Sequence, residues 1–232
     1  MPAQTLRPTR GNGVGAADAP ALPSEDEEGL LPPRVTAEGT FRRMLVAALI
    51  RFGDRGYHAV PVREIARGAG VRASSMYEYR ASKEDLLVDL MLAGHEEHRD
   101  WLAGARDNAG DAPRDQVAAI VRAHVRFHAT YPLLARVCNR ELGSLSRARL
   151  EQVMQVRTTE VQIISGPIER GTRQGLFTVP DAYLAAAAIG AIGIRVAEWY
   201  TPDAGYTVDE IADAYALFAL RMLGDADAIA AS

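Results

Sequence analysis

The chain has 232 residues, a net charge of −4 and 48% hydrophobic residues, enough for a small domain beside a larger one and too acidic in sum to coat nucleic acid uniformly. Aromatics make up 6% and alternating β-branched runs are scarce, so the chain is expected to be all-α. Its single cysteine, Cys138, excludes an intramolecular disulfide and fits a reducing cytoplasm, as a small core residue before a redox sensor.

Residues 1–34 mix glycine, proline and alanine with the acidic run Glu25-Asp26-Glu27-Glu28 and hold too few large apolar residues for a core. A disordered acidic tail is expected. No charged start followed by an apolar run marks a signal peptide, and the longest apolar run, Ala182 to Ile194, is shorter than the roughly 20 residues of a membrane span. A soluble protein with no membrane partner follows.

A first domain is expected over 35–81. Its first helix starts at Thr36 or Thr40, either of which can cap it, repeats Met44, Leu45, Ala48, Leu49 and Phe52 at helical spacing, and closes at Gly56. Ile65, Ala66 and Ala69 give one face of a short second helix, stopped at Gly70, where positive φ costs glycine nothing. Val71 and Met76 turn a third short helix inward and leave Arg72, Ala73, Ser74, Ser75, Tyr77 and Tyr79 outward. Two short helices joined through a glycine turn form a helix-turn-helix, whose second helix suits a major groove about 12 Å wide. Between residues 36 and 95 there are nine basic and seven acidic residues, a local net of +2 against the −4 of the whole.

A helical body is expected over 82–224. Ser82 caps a fourth helix from Lys83 through Trp101, with Leu86, Leu87, Leu90 and Met91 inward; His95 and His98 read as a solvated surface pair, and 104–111 as a loop. Pro113 opens a helix carrying Val117, Ile120, Val121, His124, Val125 and His128 on one stripe. His124 and His128, four apart, admit three readings: metal ligands, hydrogen-bonding groups of a ligand pocket, or satisfied core histidines. No acidic residue or cysteine completes a metal set at helical spacing, so no metal is assigned. A short helix over 133–142 follows, then a long one over 146–174, kinked at Pro167 with a cavity beside the kink. The last two helices cover 181–200, rich in small residues, and 207–223; residues 225–232 look frayed.

Four stretches together resemble the tetracycline-repressor (TetR-type) family of transcriptional regulators: Ala47-Ala48 with Phe52 and Gly56; Val62-Arg63-Glu64-Ile65-Ala66; Gly70-Val71 with Met76-Tyr77-Glu78-Tyr79; and Ser82-Lys83-Glu84-Asp85-Leu86. The resemblance spans about residues 40–91. It implies base contacts from Arg63, Ala73, Ser74 and Ser75, and phosphate contacts from Tyr77, Tyr79 and Lys83, the only lysine in the chain. It also implies a homodimer through helices 181–200 and 207–223. Two positions depart from the family pattern: Pro61 stands where a hydroxyl is usual, and Arg80 where an aromatic ring is usual.

The leading expectation is a dimeric repressor that binds a palindromic double-stranded DNA operator and is released by a small-molecule effector. His124, His128, Met154 and Trp199 are the expected effector contacts. The segment around Trp199-Tyr200 and Thr207-Val208-Asp209-Glu210 is similar to regulators of lipid and acyl-CoA catabolism, which points to a lipophilic or acyl-CoA-like effector. The acidic tail either competes with DNA for the basic face or is a solvated extension. An enzyme is disfavoured: no serine elbow, zinc-protease motif or phosphate loop beyond the isolated Gly68-Ala69-Gly70 is present, and no cofactor is implied. A helical interaction module without DNA is the alternative.

Overall fold

The computed structural model describes residues 29–230; the acidic run Glu25-Asp26-Glu27-Glu28 and residues 1–28 as a whole lie outside them. The described residues form helices joined by turns and irregular loops, with no strand among them. The head comprises α1 (Gly39–Arg55), α2 (Val62–Gly68) and α3 (Ala73–Tyr79). The body comprises α4 (Lys83–Asn108), α5 (Pro113–Thr130), α6 (Pro132–Arg140), a single 3-10 turn (Leu142–Ser144), α7 (Arg147–Arg173), α8 (Ala182–Ile194), α9 (Val196–Trp199), α10 (Val208–Met222) and α11 (Ala226–Ala230).

In the head, Met44, Leu49, Phe52, Ile65 and Met76 are buried together. Gly56 (φ 79°) ends α1, and Gly70 (φ 70°) makes the turn between α2 and α3, where the Val71 N–H reaches back to the Ala66 carbonyl at 2.9 Å. The hydroxyl cap expected of Thr36 or Thr40 is not made: Glu38 occupies the cap position without a side-chain bond, and Thr40 Oγ1 accepts from Arg43 instead at 3.1 Å. Pro61 stands just before α2 in extended conformation, where the absence of a backbone donor costs nothing.

α4 is the rod that joins head to body. Ser82 caps it, its Oγ accepting the Asp85 N–H at 3.1 Å. The helix does not stop near Trp101 as expected but continues to Asn108, so only four residues separate it from α5. One glycine inside a helix costs about 1 kcal/mol, too little for Gly104 to break a stretch otherwise rich in helix formers. Gly110, at φ 76°, makes the turn instead. α7 likewise runs unbroken through Pro167.

Three expectations at the chain's ends are corrected. Leu31 is buried in the head's core and Arg34 is ion-paired to Glu96 (3.5 Å), Glu97 (4.0 Å) and Asp100 (3.1 Å) on α4, so residues 29–34 pack instead of forming part of a tail. The helix expected over 181–200 is divided at Arg195 into α8 and α9. The expected frayed end contains α11, held because the buried Asp225 accepts the Ala228 N–H at 2.8 Å and pairs with Arg114 at 3.1 Å.

The core does not respect the boundary at residue 82. Leu134, Val137 and Cys138 of α6 share one cluster with α1 and with Leu86, Leu87, Leu90 and Met91 of α4. A second cluster gathers Leu102, Ile120, Ile164, Ile168, Ile189 and Leu220 from α4, α5, α7, α8 and α10. Outside both, α8 and α10 expose Tyr183, Leu184, Ile192, Phe218 and Met222. The stretch Ala182–Trp199 has a mean hydropathy of 1.3 with 28% of it buried, so an apolar face of substantial size lies on this side of the monomer.

Candidate nucleic-acid interface and effector cavity

The outward face of the head carries the side chains expected there. Arg63 on α2 is exposed and makes no hydrogen bond or ion pair among the described residues, while its neighbour Glu64 is held by Arg55. Ala73 and Ser74 are exposed and Ser75 is half-buried at the start of α3. Tyr77 is 60% exposed, and its hydroxyl makes no hydrogen bond among the described residues. Tyr79 is 41% exposed and also packs: its ring stacks on Phe41 at 5.7 Å.

Arg80 fills the place of the missing aromatic residue. Its guanidinium lies 4.5 Å from the centre of the Phe41 ring and donates to Asp89 at 2.5 and 3.2 Å, so a cation over a ring replaces ring against ring. Lys83 is committed elsewhere. Its Nζ donates to the carbonyls of Tyr57 (2.8 Å) and Val60 (2.9 Å) and sits 4.0 Å from the Tyr57 ring centre, and burial lowers its pKa. The ammonium thus braces the α1–α2 loop from the start of α4, and two of its three donors are used within the protein.

Behind the head, α4, α5, α6, α7 and α8 enclose a cavity of about 480 Å³. Phe127, Val161, Ile164, Ala186 and Ile194 give it an apolar wall, and the exposed Met154, Thr158, Gln162 and Tyr183 stand at its mouth. The cavity lies beside α7 a turn or so before Pro167, which does not itself line it. His124, His128 and Met154, the expected effector contacts, line it. Trp199 does not. The break at Arg195 and two ties to α6, Arg136 Nη1 to the Ala197 carbonyl (2.9 Å) and the Arg140–Glu198 ion pair, pin α9 away from the cavity.

The polar end of the cavity holds residues that sequence reasoning placed on the surface. His95 and His98 are buried, not solvated, and both meet one carboxylate oxygen, Glu160 Oε1, with their Nδ1 atoms at 3.1 and 2.9 Å. His98 Nε2 is 2.8 Å from His124 Nδ1; His124 Nε2 faces the Gly190 carbonyl at 3.0 Å, and His128 Nδ1 the His124 carbonyl at 2.8 Å. Arg157 donates to Asn139 Oδ1 at 3.0 Å and lies 3.4 Å from His95 Nε2. The missed signal was the register of α4: Met91, His95, His98 and Leu102 continue one stripe at spacings of four, three and four.

Burial pushes His124 down to about 3 and His128 well below the usual imidazole value. Burial alone would raise Glu160, but the His98 ring beside it and the hydrogen bonds from His95 and His98 prevail and hold its carboxyl far below the usual carboxylate range. Burial raises the Cys138 thiol to about 12, so at neutral pH it is an unreactive thiol packed against Gly94.

Residues 44–90 match the family model described as bacterial regulatory proteins, tetR family, and residues 110–223 match that of the tetracyclin repressor-like C-terminal domain. A solved bacterial regulatory protein in the tetR family from Rhodococcus RHA1 is 31% identical, with 82% of this chain and 100% of that one covered and a TM-score of 0.77. The HTH-type transcriptional repressor KstR2 of Rhodococcus jostii (strain RHA1) is 25% identical over 199 residues, 83% of this chain and 92% of its own. AibR, solved in complex with isovaleryl coenzyme A and operator DNA, shares the fold at 20% identity, covering 77% of this chain and 97% of its own with a TM-score of 0.70. The chain therefore belongs to the TetR family of transcriptional regulators, a family of DNA-binding proteins and not of enzymes.

Proposed function

We propose that the protein is a ligand-responsive repressor that binds operator DNA as a homodimer. The observation that carries the reading is α4: one uninterrupted helix touches the DNA-facing head at Lys83 and the cavity at His95 and His98. Lys83 and His98 are fifteen residues apart, about 22 Å along the helix at 1.5 Å per residue, so a shift where an effector sits is transmitted to the head.

Arg63 and the α3 residues Ala73, Ser74 and Ser75 read base edges. Tyr77 and Tyr79 hold phosphates, and Lys83 holds the start of α4 to the loop below it. The apolar face of α8 and α10 pairs with its copy, and the dimer sets the spacing of two recognition helices near 34–36 Å or a multiple. An effector that favours the wrong spacing by about 3 kcal/mol lowers operator affinity roughly a hundredfold. The cavity's apolar wall and polar end suit a molecule with an apolar body and one polar head, as an acyl compound has. Acting on chromosomal DNA places the protein in the cytoplasm.

The test is fluorescence anisotropy or mobility shift with duplexes from the flanks of the protein's own gene, at several salt concentrations. A saturable, salt-sensitive complex of two chains per duplex is expected. A chain that stays monomeric at micromolar concentration and ignores every such fragment in low salt would overturn the reading.

A further inference from the structure

His98 of α4 and His124 and His128 of α5 meet at the inner end of the cavity, with ring centres 4.4–5.2 Å apart and one nitrogen of each within 4.8 Å of the others. The decisive feature is what the remaining nitrogen of each ring does. His98 Nδ1 faces the Glu160 carboxylate (2.9 Å), His124 Nε2 the Gly190 carbonyl (3.0 Å) and His128 Nδ1 the His124 carbonyl (2.8 Å). These oxygens only accept, so each of the three nitrogens carries its ring's proton.

The other nitrogen of each ring, His98 Nε2, His124 Nδ1 and His128 Nε2, then turns toward the other two. The first two are 2.8 Å apart, and the protons that the oxygen partners fix on His98 Nδ1 and His124 Nε2 leave that contact in need of an added proton or cation. His128 Nε2 takes no hydrogen bond among the described residues, and His128 lines the cavity. Something positive belongs among these atoms. A single proton would serve two of the three nitrogens; a metal ion serves all three.

The surroundings agree. Glu160 is buried and its only ion-pair partners among the described residues are His95 and His98, so its charge calls for a nearby cation. A carboxylate or carbonyl behind each imidazole is how metal-bound histidines are oriented.

We infer that His98 Nε2, His124 Nδ1 and His128 Nε2 bind one divalent transition-metal ion of the zinc type, its fourth position open to the cavity. An all-imidazole set suits zinc, nickel, cobalt or copper, not magnesium or calcium. Metal–nitrogen bonds of about 2.0–2.1 Å at tetrahedral angles put ligand nitrogens roughly 3.3 Å apart, so His98 and His124 need separate by only about half an ångström. The site does not depend on DNA binding, and its test is independent of that reading.

The full chain, freed of any purification tag and stripped by a chelator, is titrated with cobalt(II) at neutral pH. One equivalent per chain is expected, with the visible absorption of a four-coordinate ion, displaced by zinc. His98→Gln and His128→Gln each remove saturable uptake, and Glu160→Gln weakens it about 10- to 100-fold. Because these changes lie in the core, the unaltered protein supplies a second readout. Nitrogen-15 spectra of its histidines should show Nε2 of His98, Nδ1 of His124 and Nε2 of His128 shifting on addition of zinc. Absence of saturable uptake, uptake that survives both histidine changes, or a His98–His124 contact that holds a proton and ignores zinc would each overturn the inference.

Discussion

Gly193→Ala tests the close approach of α8 to the histidine cluster. A Cβ added at Gly193 would overlap Cδ2 and Nε2 of His124 and lie 3.2 Å from its Cγ. His124 is buried and held by the Gly190 carbonyl, so it can yield toward the cavity only by giving up that bond. The substitution gains about 1 kcal/mol of helix propensity. Against this stand about 1–3 kcal/mol for overpacking and about 1–3 kcal/mol for the His124 N–H that loses the Gly190 carbonyl while still buried. The costs win, leaving a net destabilisation of about 1–5 kcal/mol, or roughly 2–20 °C in Tm for a chain of this size. Gly104→Ala is the control: it lies inside α4 with nothing within 4 Å of its would-be Cβ, and should stabilise by about 1 kcal/mol. Urea midpoints at one fixed chain concentration separate the two, since the proposed dimerisation would make midpoints depend on concentration. If Gly193→Ala raised the midpoint as Gly104→Ala does, the contact between α8 and His124 would not be what the structure shows.

Arg63→Ala should cost about 1–3 kcal/mol of operator affinity and relax preference at one base pair, read by competition with single-base variants of the operator. Lys83→Ala should weaken all sequences alike and also lower Tm, because the Tyr57 and Val60 carbonyls lose a charged donor worth about 1–3 kcal/mol; an unchanged Tm would contradict the bracing role. Phe218→Glu, at an exposed position of α10, should shift the chain to monomer in sedimentation and reduce operator affinity together, and dimers that persist would rule out this face. At α10, Thr207 Oγ1 accepts the Glu210 N–H (3.2 Å) while Glu210 accepts the Thr207 N–H (2.8 Å), so Thr207→Ala should cost about 1 kcal/mol. Those bonds from the Thr207 backbone and hydroxyl depress the Glu210 pKa. Its stabilising contribution is therefore complete above the unfolded value of about 4.5 and is lost as pH falls through the depressed one. Glu210→Gln should flatten the decline of urea midpoints below about pH 5.

The head was legible because its signals are local: Gly56 and Gly70 where φ must be positive, Ser82 where a cap is needed, and apolar residues at three and four around them. α4 was read short because Gly104 was given more weight as a breaker than its cost of about 1 kcal/mol warrants. That error hid the rest of the site, since a helix ending near Trp101 leaves His95 and His98 at a loose end instead of on a buried stripe. His124 and His128 were found by their spacing, but their partners come from other helices, 26 residues away for His98, and no periodicity reports such a distance. Trp199 was misplaced for a related reason: one arginine at 195 does not by itself end a helix, and the ties from Arg136 and Arg140 that turn α9 belong to α6. The packing of Leu31 was the opposite case, a single large apolar residue masked by the composition around it.

Leu31 and Arg34 at one end, and Asp225 with α11 at the other, bear on how the molecule can be shortened. The stretches that match the family begin at Met44 and stop at Leu223, yet cutting there removes a leucine that is 2% exposed, a cation shared by three carboxylates of α4, and the partner of Arg114. A recombinant version trimmed to those limits would open a groove along the head and leave acidic side chains of α4 facing one another, whereas one running from 29 to 230 keeps both fastenings.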